Sequence, residues 1–290
     1  DGARYYTQED VPAILRFVGP QLTELSVKVG STYHRLAGRP LRRSLGTVVA
    51  PAANLRSLHI ETDDPDLQLP ERDAQTLARL TRLEKLVLKS LSGRGFSGTS
   101  LPVALCSCTR LPHLELKHSR QPGRFPAQIS SLQHLEALSM HASYFEGMPA
   151  ELGALTGLTR LELIAEDWYR EQEDEEEDEE KFPEELQNFD FLRELKIIGC
   201  HLNAVPSFVN PLTRLEKLYL SLNRGLGAAG APGHGLAADS KPRLTEVDLS
   251  DCGLTAVPPA VLSQLPALQA LGLWKRKREK EKEFFSFTKK

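Results

Sequence analysis

A leucine pattern that recurs along the chain is the feature that most restricts the fold. The frame L-x-x-L-x-L is filled by Leu192, Leu195 and Ile197, and the same frame starts again at Leu215, 23 residues later. Its last two apolar residues are two positions apart, which is the periodicity of a β-strand with one buried face. Self-similarity at a period of roughly 20 to 50 residues indicates a solenoid in which each unit buries its apolar side against the next.

About ten repeats are predicted from this frame. It begins at Leu22, Leu55, Leu83, Leu111, Leu135, Leu158, Leu192, Leu215, Leu244 and Leu268. Each frame predicts one short strand, and the strands must pair side by side in a parallel sheet. An apolar residue followed by proline marks the return arm of the later units at Phe125-Pro126, Met148-Pro149, Phe182-Pro183, Val205-Pro206 and Val257-Pro258. Apolar residues at every third position after such a proline favour a short 3₁₀ or helical segment.

Three residues follow their strands at equivalent places: Cys200, Asn223 and Cys252. The chain turns away from the sheet there, and a turn next to the interior would leave backbone groups buried without partners. We expect these small polar side chains to satisfy those groups. Among the irregular earlier units, the amphipathic stretch Glu71–Leu80 predicts a longer helix on the opposite side.

The repeats divide the chain into three parts. Residues 1–21 are a lead-in, and the stretch from Glu9 to Gly19 suits a short helix that covers the open end of the first repeat. Residues 22–274 are the solenoid, and residues 275–290 are a charged tail. In that tail Lys275–Arg278 suits a nuclear-import cluster, or the tail is a disordered end. Because the chain starts at Asp1 and not at a methionine, we expect it to be a fragment.

An acidic insertion interrupts the solenoid at residues 166–181. It holds eleven of the 39 acidic residues, and the rest of the chain has 34 basic and 28 acidic groups. Such a run repels itself and stays solvated, which predicts a disordered loop. The functional alternative is an acidic segment that attracts a basic partner or folds over a basic face.

A second insertion, rich in Gly and Ala, occupies residues 224–241. It contains G-x-G-x-x-G from Gly225 to Gly230, directly after a predicted strand. A dinucleotide site needs a following helix whose N-terminus meets the pyrophosphate. Pro232 and Gly233 prevent that helix, so the sequence predicts a flexible loop and no nucleotide site.

The sequence gives little support for a metal site or a catalytic site. Cys106 and Cys108 precede His113 and His118, which is reminiscent of zinc spacing. The frame puts both histidines on a strand, whereas the cysteines end the preceding arm, so the four side chains do not converge. The sequence has no P-loop, G-x-S-x-G, H-E-x-x-H or kinase signature. We therefore expect no metal, no cofactor and no enzyme activity.

Composition narrows the cellular locations and the classes of partner that suit this chain. The chain has 290 residues, four cysteines and a formal net charge of −3. Few cysteines favour a reducing compartment, so we predict a cytoplasmic protein, with cytoskeletal and nuclear locations as alternatives. No apolar run is long enough to span a membrane, and the chain lacks the basic, aromatic stripe of a nucleic-acid groove. We expect a monomer with neither membrane nor nucleic acid as partner.

The repeating units resemble short leucine-rich repeats of intracellular proteins, which follow LxxLxLxxNxLxxLPxxLxxL. The resemblance covers Leu22 to Leu273. It implies an α/β solenoid: a leucine-rich repeat horseshoe with a parallel concave β-sheet and helical or 3₁₀ convex arms. The lead-in ILRFVGPQLTELSV also resembles the junction before the repeats in F-box proteins, whose repeats capture substrates for ubiquitin ligation, although no F-box is present.

A protein-binding surface is predicted on the concave sheet. Because the frame leucines point inward, the residues between and after them face the groove. One column, from Glu24 to Glu246, alternates in sign among its later members and is expected to neutralise itself across the sheet. The neighbouring columns combine basic or titratable groups with exposed apolar ones. The predicted partner-binding residues are Lys85, Lys89, His113, Lys117, His141, Ile164, Ile198, Tyr219 and Leu222.

Three functions stay open from the sequence alone. The first is a non-catalytic protein–protein interaction scaffold. The second is the substrate-recognition region of an F-box-type ubiquitin ligase. The third is the regulatory region of an enzyme whose catalytic domain lies outside these 290 residues.

Overall fold

The structure is a computed structural model that divides into two compact units, Asp1–Leu135 and Glu136–Lys290. It describes residues 16–29, 46, 49–62, 71–90, 103–118, 126–142, 150–165, 182–227, 241–254, 265–273, 275–276, 282–283 and 286–288. The acidic insertion at 166–181 and residues 1–15 of the lead-in lie outside these ranges. Of the predicted lead-in helix, residues 16–18 are described and are helical.

Four parallel strands form the sheet of the first unit. They are β1 (Glu24–Val29), β2 (Ser57–Thr62), β3 (Lys85–Ser90) and β4 (His113–His118), each paired in full register with the next. The helical segments are α1 (Glu71–Ala78) and 3₁₀ turns at Gly19–Gln21, Val103–Ser107 and Ala127–Ser131. The helix predicted over Glu71–Leu80 is confirmed as α1.

Six parallel strands form the main sheet of the second unit. They are β5 (Ala137–Ala142), β6 (Arg160–Ala165), β7 (Glu194–Ile198), β8 (Lys217–Tyr219), β9 (Glu246–Asp248) and β10 (Ala270–Gly272). The arms are 3₁₀ turns at Ala150–Ala154, Glu184–Asn188, Ser207–Val209 and Arg224–Gly227. Every one of the ten predicted frames begins two residues before a strand, so the leucine-rich repeat fold is confirmed.

Part of the C-terminal tail adds strands that the repeat frame does not predict. β11 (Lys275–Arg276) pairs antiparallel with β12 (Lys282–Glu283). β13 (Ser286–Thr288) pairs antiparallel with β10, with Leu271 opposite Phe287. The described part of the tail is therefore strand, where the sequence suggested a disordered end.

Apolar residues from successive strands stack in layers inside the second unit. Leu195, Leu218, Val247 and Leu271 are Cα partners from β7 to β10, and none is more than 3% exposed. Burying one such side chain stabilises the fold by roughly 1.5 to 3 kcal/mol. One repeat cannot bury its own leucines, so this stabilisation comes from the neighbour on each side.

Proline starts the return arms as predicted. Pro126, Pro183 and Pro206 are each the residue directly before a 3₁₀ turn. Their φ angles lie between −71° and −56°. The carbonyl oxygen of each accepts a hydrogen bond from the N–H group three positions later, at 3.0 to 3.2 Å. Proline has this φ already fixed, which favours the turn. The predicted Met148-Pro149 and Val257-Pro258 pairs include residues outside the described ranges.

The start of the Gly/Ala-rich insertion differs from the flexible loop that the sequence predicted. Arg224–Gly227 is a 3₁₀ arm with Leu226 buried, and not the flexible loop expected there. A Cβ added to Gly227 would lie 2.2 Å from the carbonyl carbon of Gly253 in the next repeat. Glycine is required at this position because two backbone segments approach closely. The G-x-G-x-x-G pattern did not predict this contact. Residues 228–240 lie outside the described ranges.

Candidate functional site

One side of the second unit's sheet is covered by polar and half-buried side chains. Along β6 and β7, buried residues alternate with exposed or half-buried ones. Successive side chains point to opposite faces of a strand, so the first, third and fifth positions from each strand start point away from the leucine interior. We call the surface they form in β5–β10 the open face of the second unit.

The residues at the third positions of β5–β9 form a row of Cα partners, which we call the central row. Ser139, Glu162, Lys196, Tyr219 and Asp248 are successive Cα partners from β5 to β9. Ser139 donates through Oγ to Glu162 Oε2 at 2.9 Å, and Lys196 Nζ donates to Glu162 Oε1 at 2.6 Å. The same Nζ atom lies 5.3 Å from the centroid of the Tyr219 ring, within reach of a cation–π contact. Side chains from four strands are thus held by each other.

The ion pair at the centre of the row has shifted pKa values. Burial by itself would raise the pKa of Glu162, but hydrogen bonds from Lys196 and Ser139 outweigh it and hold the pKa below its usual value. Burial would likewise lower the pKa of Lys196, but hydrogen bonds to Glu162 and Glu194 outweigh it and raise the pKa. Both side chains are about one-quarter exposed, at 26% and 25%, so the pair is screened only in part.

The first positions of the same strands hold paired charges. Lys217 Nζ lies 3.4 Å from Glu246 Oε2, which is one of the pairs predicted within this column. Glu194 Oε1 lies 3.0 Å from Lys196 Nζ in the central row. Burial and a hydrogen bond to Glu246 raise the pKa of the Tyr219 hydroxyl above its ordinary value. Tyr219 therefore has a contact on each side, with Lys196 at its ring and with Glu246 at its hydroxyl.

An apolar strip lies beside the central row. Three predicted site residues, His141, Ile164 and Ile198, occupy the fifth positions of β5, β6 and β7 and are successive Cα partners. All three are half-buried. The two isoleucines are adjacent on neighbouring strands, so their exposed parts form one patch.

Leu222, the fifth predicted residue of this unit, has an unusual backbone. It follows β8, is half-buried and has a φ of 65°. Gly199 and Asp251, with φ of 67° and 52°, occupy the same position in the adjacent repeats. The left-handed conformation costs roughly 1 to 2 kcal/mol for a residue with a Cβ atom. Leucine is a poor choice for that turn, and such strain is often found at functional sites.

The four predicted residues of the first unit are Lys85, Lys89, His113 and Lys117. Carboxylates lie among these basic and titratable side chains, so the surface carries paired charges. Lys85 and Lys117 contact Glu115 at 3.4 and 2.5 Å, and Lys89 contacts Glu61 at 3.4 Å. His113 also has an interaction partner and is half-buried. Lys85 is exposed, and the other two lysines are half-buried.

The sequence reasoning missed the residues that organise both surfaces. Glu115 and Glu162 each form an ion pair with a lysine of a neighbouring strand, and both lie at the third position of their strands. The signal available in the sequence was a glutamate at the third strand position with a lysine on a neighbouring strand. A further omission is His59, whose Nε2 atom is buried without a hydrogen-bond partner in the part of the chain that the structure describes.

The cysteines have the character of interior side chains. All four are free and buried. Burial raises the pKa of Cys106 to about 11 and that of Cys108 to about 12, with the Cys106 charge adding to the effect on Cys108. Within the described ranges, no three His, Cys, Asp or Glu residues converge as a metal site would require. No helix in the described part of the chain has the length and apolar character needed to cross a membrane.

A family model described as a leucine-rich repeat region matches residues 79–289. Among curated proteins, the chain is similar to the receptor-like protein kinase HAIKU2 of Arabidopsis thaliana, with 38% identity over 112 residues. It is also similar to the volume-regulated anion channel subunit LRRC8E of Homo sapiens, with 28% identity over 221 residues. These matches cover 39% and 73% of this chain, but only 11% and 24% of the two relatives.

The chain also resembles solved structures, among them the following two. One is a leucine-rich repeat protein of Leptospira interrogans, at a TM-score of 0.40 and 16% identity, covering 89% of this chain and 74% of that one. The other is the Arabidopsis receptor kinase HAESA, solved with the peptide hormone IDA and the co-receptor SERK1. It has a TM-score of 0.49 and 18% identity, and the match covers 79% of this chain and 36% of that one.

Proposed function

Because the chain belongs to the leucine-rich repeat family, we propose that it is a non-catalytic scaffold that binds a partner protein on the open face of its second unit. The centre of the proposed site is Ile164, Ile198 and Tyr219, with His141 and Leu222 at its edge. Lys85, Lys89, His113 and Lys117 form a separate, charge-paired surface of the first unit that we propose as a secondary contact.

The observation that carries this proposal is the half-buried isoleucine pair beside a tyrosine that is held by contacts on two sides. Ile164 and Ile198 are half-buried Cα partners, and Tyr219 is fixed by Lys196 and Glu246. Protein interfaces concentrate their binding energy in a few apolar and aromatic residues surrounded by polar ones. A ring that is fixed before binding loses little side-chain entropy when the partner arrives.

The charges of the open face support selective binding. Lys196 and Lys217 are each paired with carboxylates, so the surface does not attract anions in general. A partner must match an ordered pattern of alternating charge around an apolar strip, and mismatched charges cost free energy. Such a surface suits one protein partner better than a polyanion.

The experiment begins with a photo-crosslinking amino acid in place of Ile198, which identifies the partner in cell extract. Affinity of the purified partner is then measured for Ile198→Ala and Tyr219→Ala. We expect each substitution to weaken binding about tenfold or more, as central interface residues do. Val103→Ala is the matched control, since Val103 is 47% exposed but lies on an arm of the first unit. Equal losses in all three variants would reject the proposed site.

A second candidate function is the sensing region of a larger signalling enzyme. The similarity at 38% identity to part of a receptor-like protein kinase favours it, and that relative is far longer than this chain. In this case the open face would bind the signal and a separate domain would act on it. The full transcript distinguishes the two candidates: a kinase domain in the same reading frame supports the second, and its absence supports the simple scaffold.

For oligomeric state and cellular location, we propose that the chain is a monomer in the cytoplasm. Its four cysteines are all free and buried, which suits a reducing compartment. Cell fractionation tests the location, and light scattering of the purified chain tests the monomer. A secreted, glycosylated product or a stable dimer would contradict these two points.

A further inference from the structure

The turns that precede the strands of the second unit expose a second group of side chains. The same tight turn occurs before β7, β8 and β9, closed by hydrogen bonds from Leu192, Leu215 and Leu244 to the carbonyl three residues earlier. The residue just before each leucine is exposed. These residues are Phe191, Arg214 and Arg243, and we call them the rim. Neighbouring strands are about 4.8 Å apart, so the three residues follow one another along the edge of the sheet.

Phe191 and Arg214 are already in contact. The guanidinium carbon of Arg214 lies 4.4 Å from the centroid of the Phe191 ring. The ring is 49% exposed, one of the few large apolar side chains exposed to this extent in the described part of the chain. Stacking on an aromatic face orients a guanidinium while its N–H groups at the edge stay available to an acceptor.

The two rim arginines differ from the lysines of the open face and from Arg193. Lys196, Lys217 and Arg193 each form an ion pair with a carboxylate. Arg214 and Arg243 form no ion pair with any residue in the ranges that the structure describes. Arg214 and Arg243, which precede neighbouring strands, therefore have no carboxylate partner among the described residues, and Arg214 lies against an exposed aromatic ring.

We propose that the rim is a docking surface for an acidic segment of a partner protein. Two carboxylates of that segment bind Arg214 and Arg243 through paired N–H···O hydrogen bonds, the geometry that guanidinium groups favour. An apolar side chain of the same segment packs on the exposed part of Phe191. This surface is distinct from the open face and does not depend on it.

The surrounding charges favour a short acidic peptide over a nucleic acid or an anionic membrane. Arg193 is neutralised by Glu216 at 3.1 Å, and the exposed Asp190 lies beside Phe191. Two arginines without a carboxylate partner in the described ranges, with carboxylates nearby, suit a ligand that carries a few localised negative charges. A phosphate backbone needs a longer basic stripe, and a lipid surface needs a cluster of basic residues.

The test uses the purified chain and a fluorescent peptide of sequence Glu-Glu-Leu-Glu-Glu-Phe-Glu, with fluorescence anisotropy as the readout. We expect saturable binding that weakens at least tenfold in the double variant Arg214→Gln/Arg243→Gln and falls as salt is raised. Phe191→Leu, which keeps apolar surface but removes the ring, should bind about threefold more weakly. Arg79→Gln, an exposed arginine of the first unit, is the matched control and should bind as the wild type does.

Several outcomes would overturn the inference. They are no saturable binding at millimolar peptide, equal binding by the wild type and the double variant, or tighter binding to a single-stranded RNA 12-mer or to phosphatidylserine vesicles. Thermal unfolding of each variant is recorded alongside, and exposed Arg→Gln changes should leave it within a degree or two. Because Ile198→Ala should not affect the peptide, failure of this inference is separable from failure of the proposed function.

Discussion

Asn223 donates through Nδ2 to the carbonyl oxygen of Ile197 at 2.7 Å, although 26 residues separate them in the chain. The same Nδ2 donates to Leu220 O at 2.8 Å, and Asn223 Oδ1 accepts from the N–H group of Leu202 at 3.3 Å. The side chain is fully buried. One amide therefore satisfies backbone groups from two repeats, at the turn where the sequence predicted such a role. A buried backbone group without a partner costs roughly 1 to 3 kcal/mol.

We predict that Asn223→Ala lowers the free energy of unfolding by about 3 kcal/mol, because several buried backbone groups lose their partner at once. Chemical denaturation measures the loss. Asn223→Cys is the matched variant, since Cys252 at the equivalent position directs its Sγ to Leu220 O at 2.9 Å. It should lose less than half as much. If alanine and cysteine were equally harmful, the side chain's size and not its hydrogen bonds would be what matters.

The open face should tolerate truncation better than the interior does. We predict that Ile198→Ala lowers the free energy of unfolding by less than about 1 kcal/mol, because the side chain is only half-buried. Leu195→Ala on the same strand, where the leucine is fully buried, should cost about 2 to 5 kcal/mol. Thermal and urea unfolding distinguish the two. A large loss for Ile198→Ala would show that this position belongs to the interior.

The ion pair of the central row should make stability depend on pH. The pKa of Glu162 is lowered in the folded protein, so its contribution is present above the carboxyl's ordinary pKa of 4.5 and is lost as pH falls through the lower folded value. We predict that Glu162→Gln is less stable than the wild type at pH 7 and that the gap closes on acidification. Urea unfolding at pH 7 and at pH 3 measures the gap.

The pair itself can be measured by a double-mutant cycle of Glu162→Gln and Lys196→Met. We expect a coupling of about 1 kcal/mol for a pair that is partly screened by solvent. Lys217 and Glu246, which are 3.4 Å apart and more exposed, provide the control cycle with a smaller coupling. A gap at Glu162 that stays constant with pH would contradict the assignment.

Lys241 should destabilise the protein at neutral pH. Its side chain is fully buried, its Nζ donates to Asn210 O at 2.5 Å, and burial lowers its pKa from 10.5 to about 8. Below about pH 8 the folded state carries the desolvated charge at full cost. Between about 8 and 10.5 the folded state is neutral while the unfolded chain still binds the proton, so stability rises with pH.

We therefore predict that Lys241→Met raises the free energy of unfolding at pH 7 by on the order of 1 to 2 kcal/mol, after the lost hydrogen bond is deducted. The advantage should shrink at pH 9.5, where the wild type no longer buries a full charge. Urea unfolding at both pH values provides the measurement. Lys85→Met, at an exposed lysine, is the control. An advantage for Lys241→Met that is equal at both pH values would mean that the gain comes from packing.

The cysteines should be unreactive in the native protein. All four are buried, and burial raises the pKa of Cys252 to about 12, so little thiolate forms near neutral pH. We predict that a thiol reagent labels fewer than one of the four at pH 8 and all four in 6 M guanidinium. Rapid labelling without denaturant would show that a cysteine is accessible.

Local periodicity was enough to predict the repeating part of the fold. All ten frames begin two residues before a strand, and the inward positions such as Leu195 and Leu218 are buried. The reason is that alternation along a strand and the proline that starts each arm are properties of a few neighbouring residues. The role of Asn223 was predictable for the same reason, since a turn beside an interior always needs hydrogen-bond partners.

The sequence by itself thus determined the solenoid, the placement of its strands and the side of each strand that is exposed. Only the tertiary structure decided which exposed groups meet: Lys196 with Glu162, 34 positions away, and Arg214 with Phe191. It also decided that β13 pairs with β10 and that Gly227 lies against the next repeat. These contacts join residues from different repeats, and they depend on the side-chain conformations and backbone approach that stacking imposes. A periodic pattern carries no information about either.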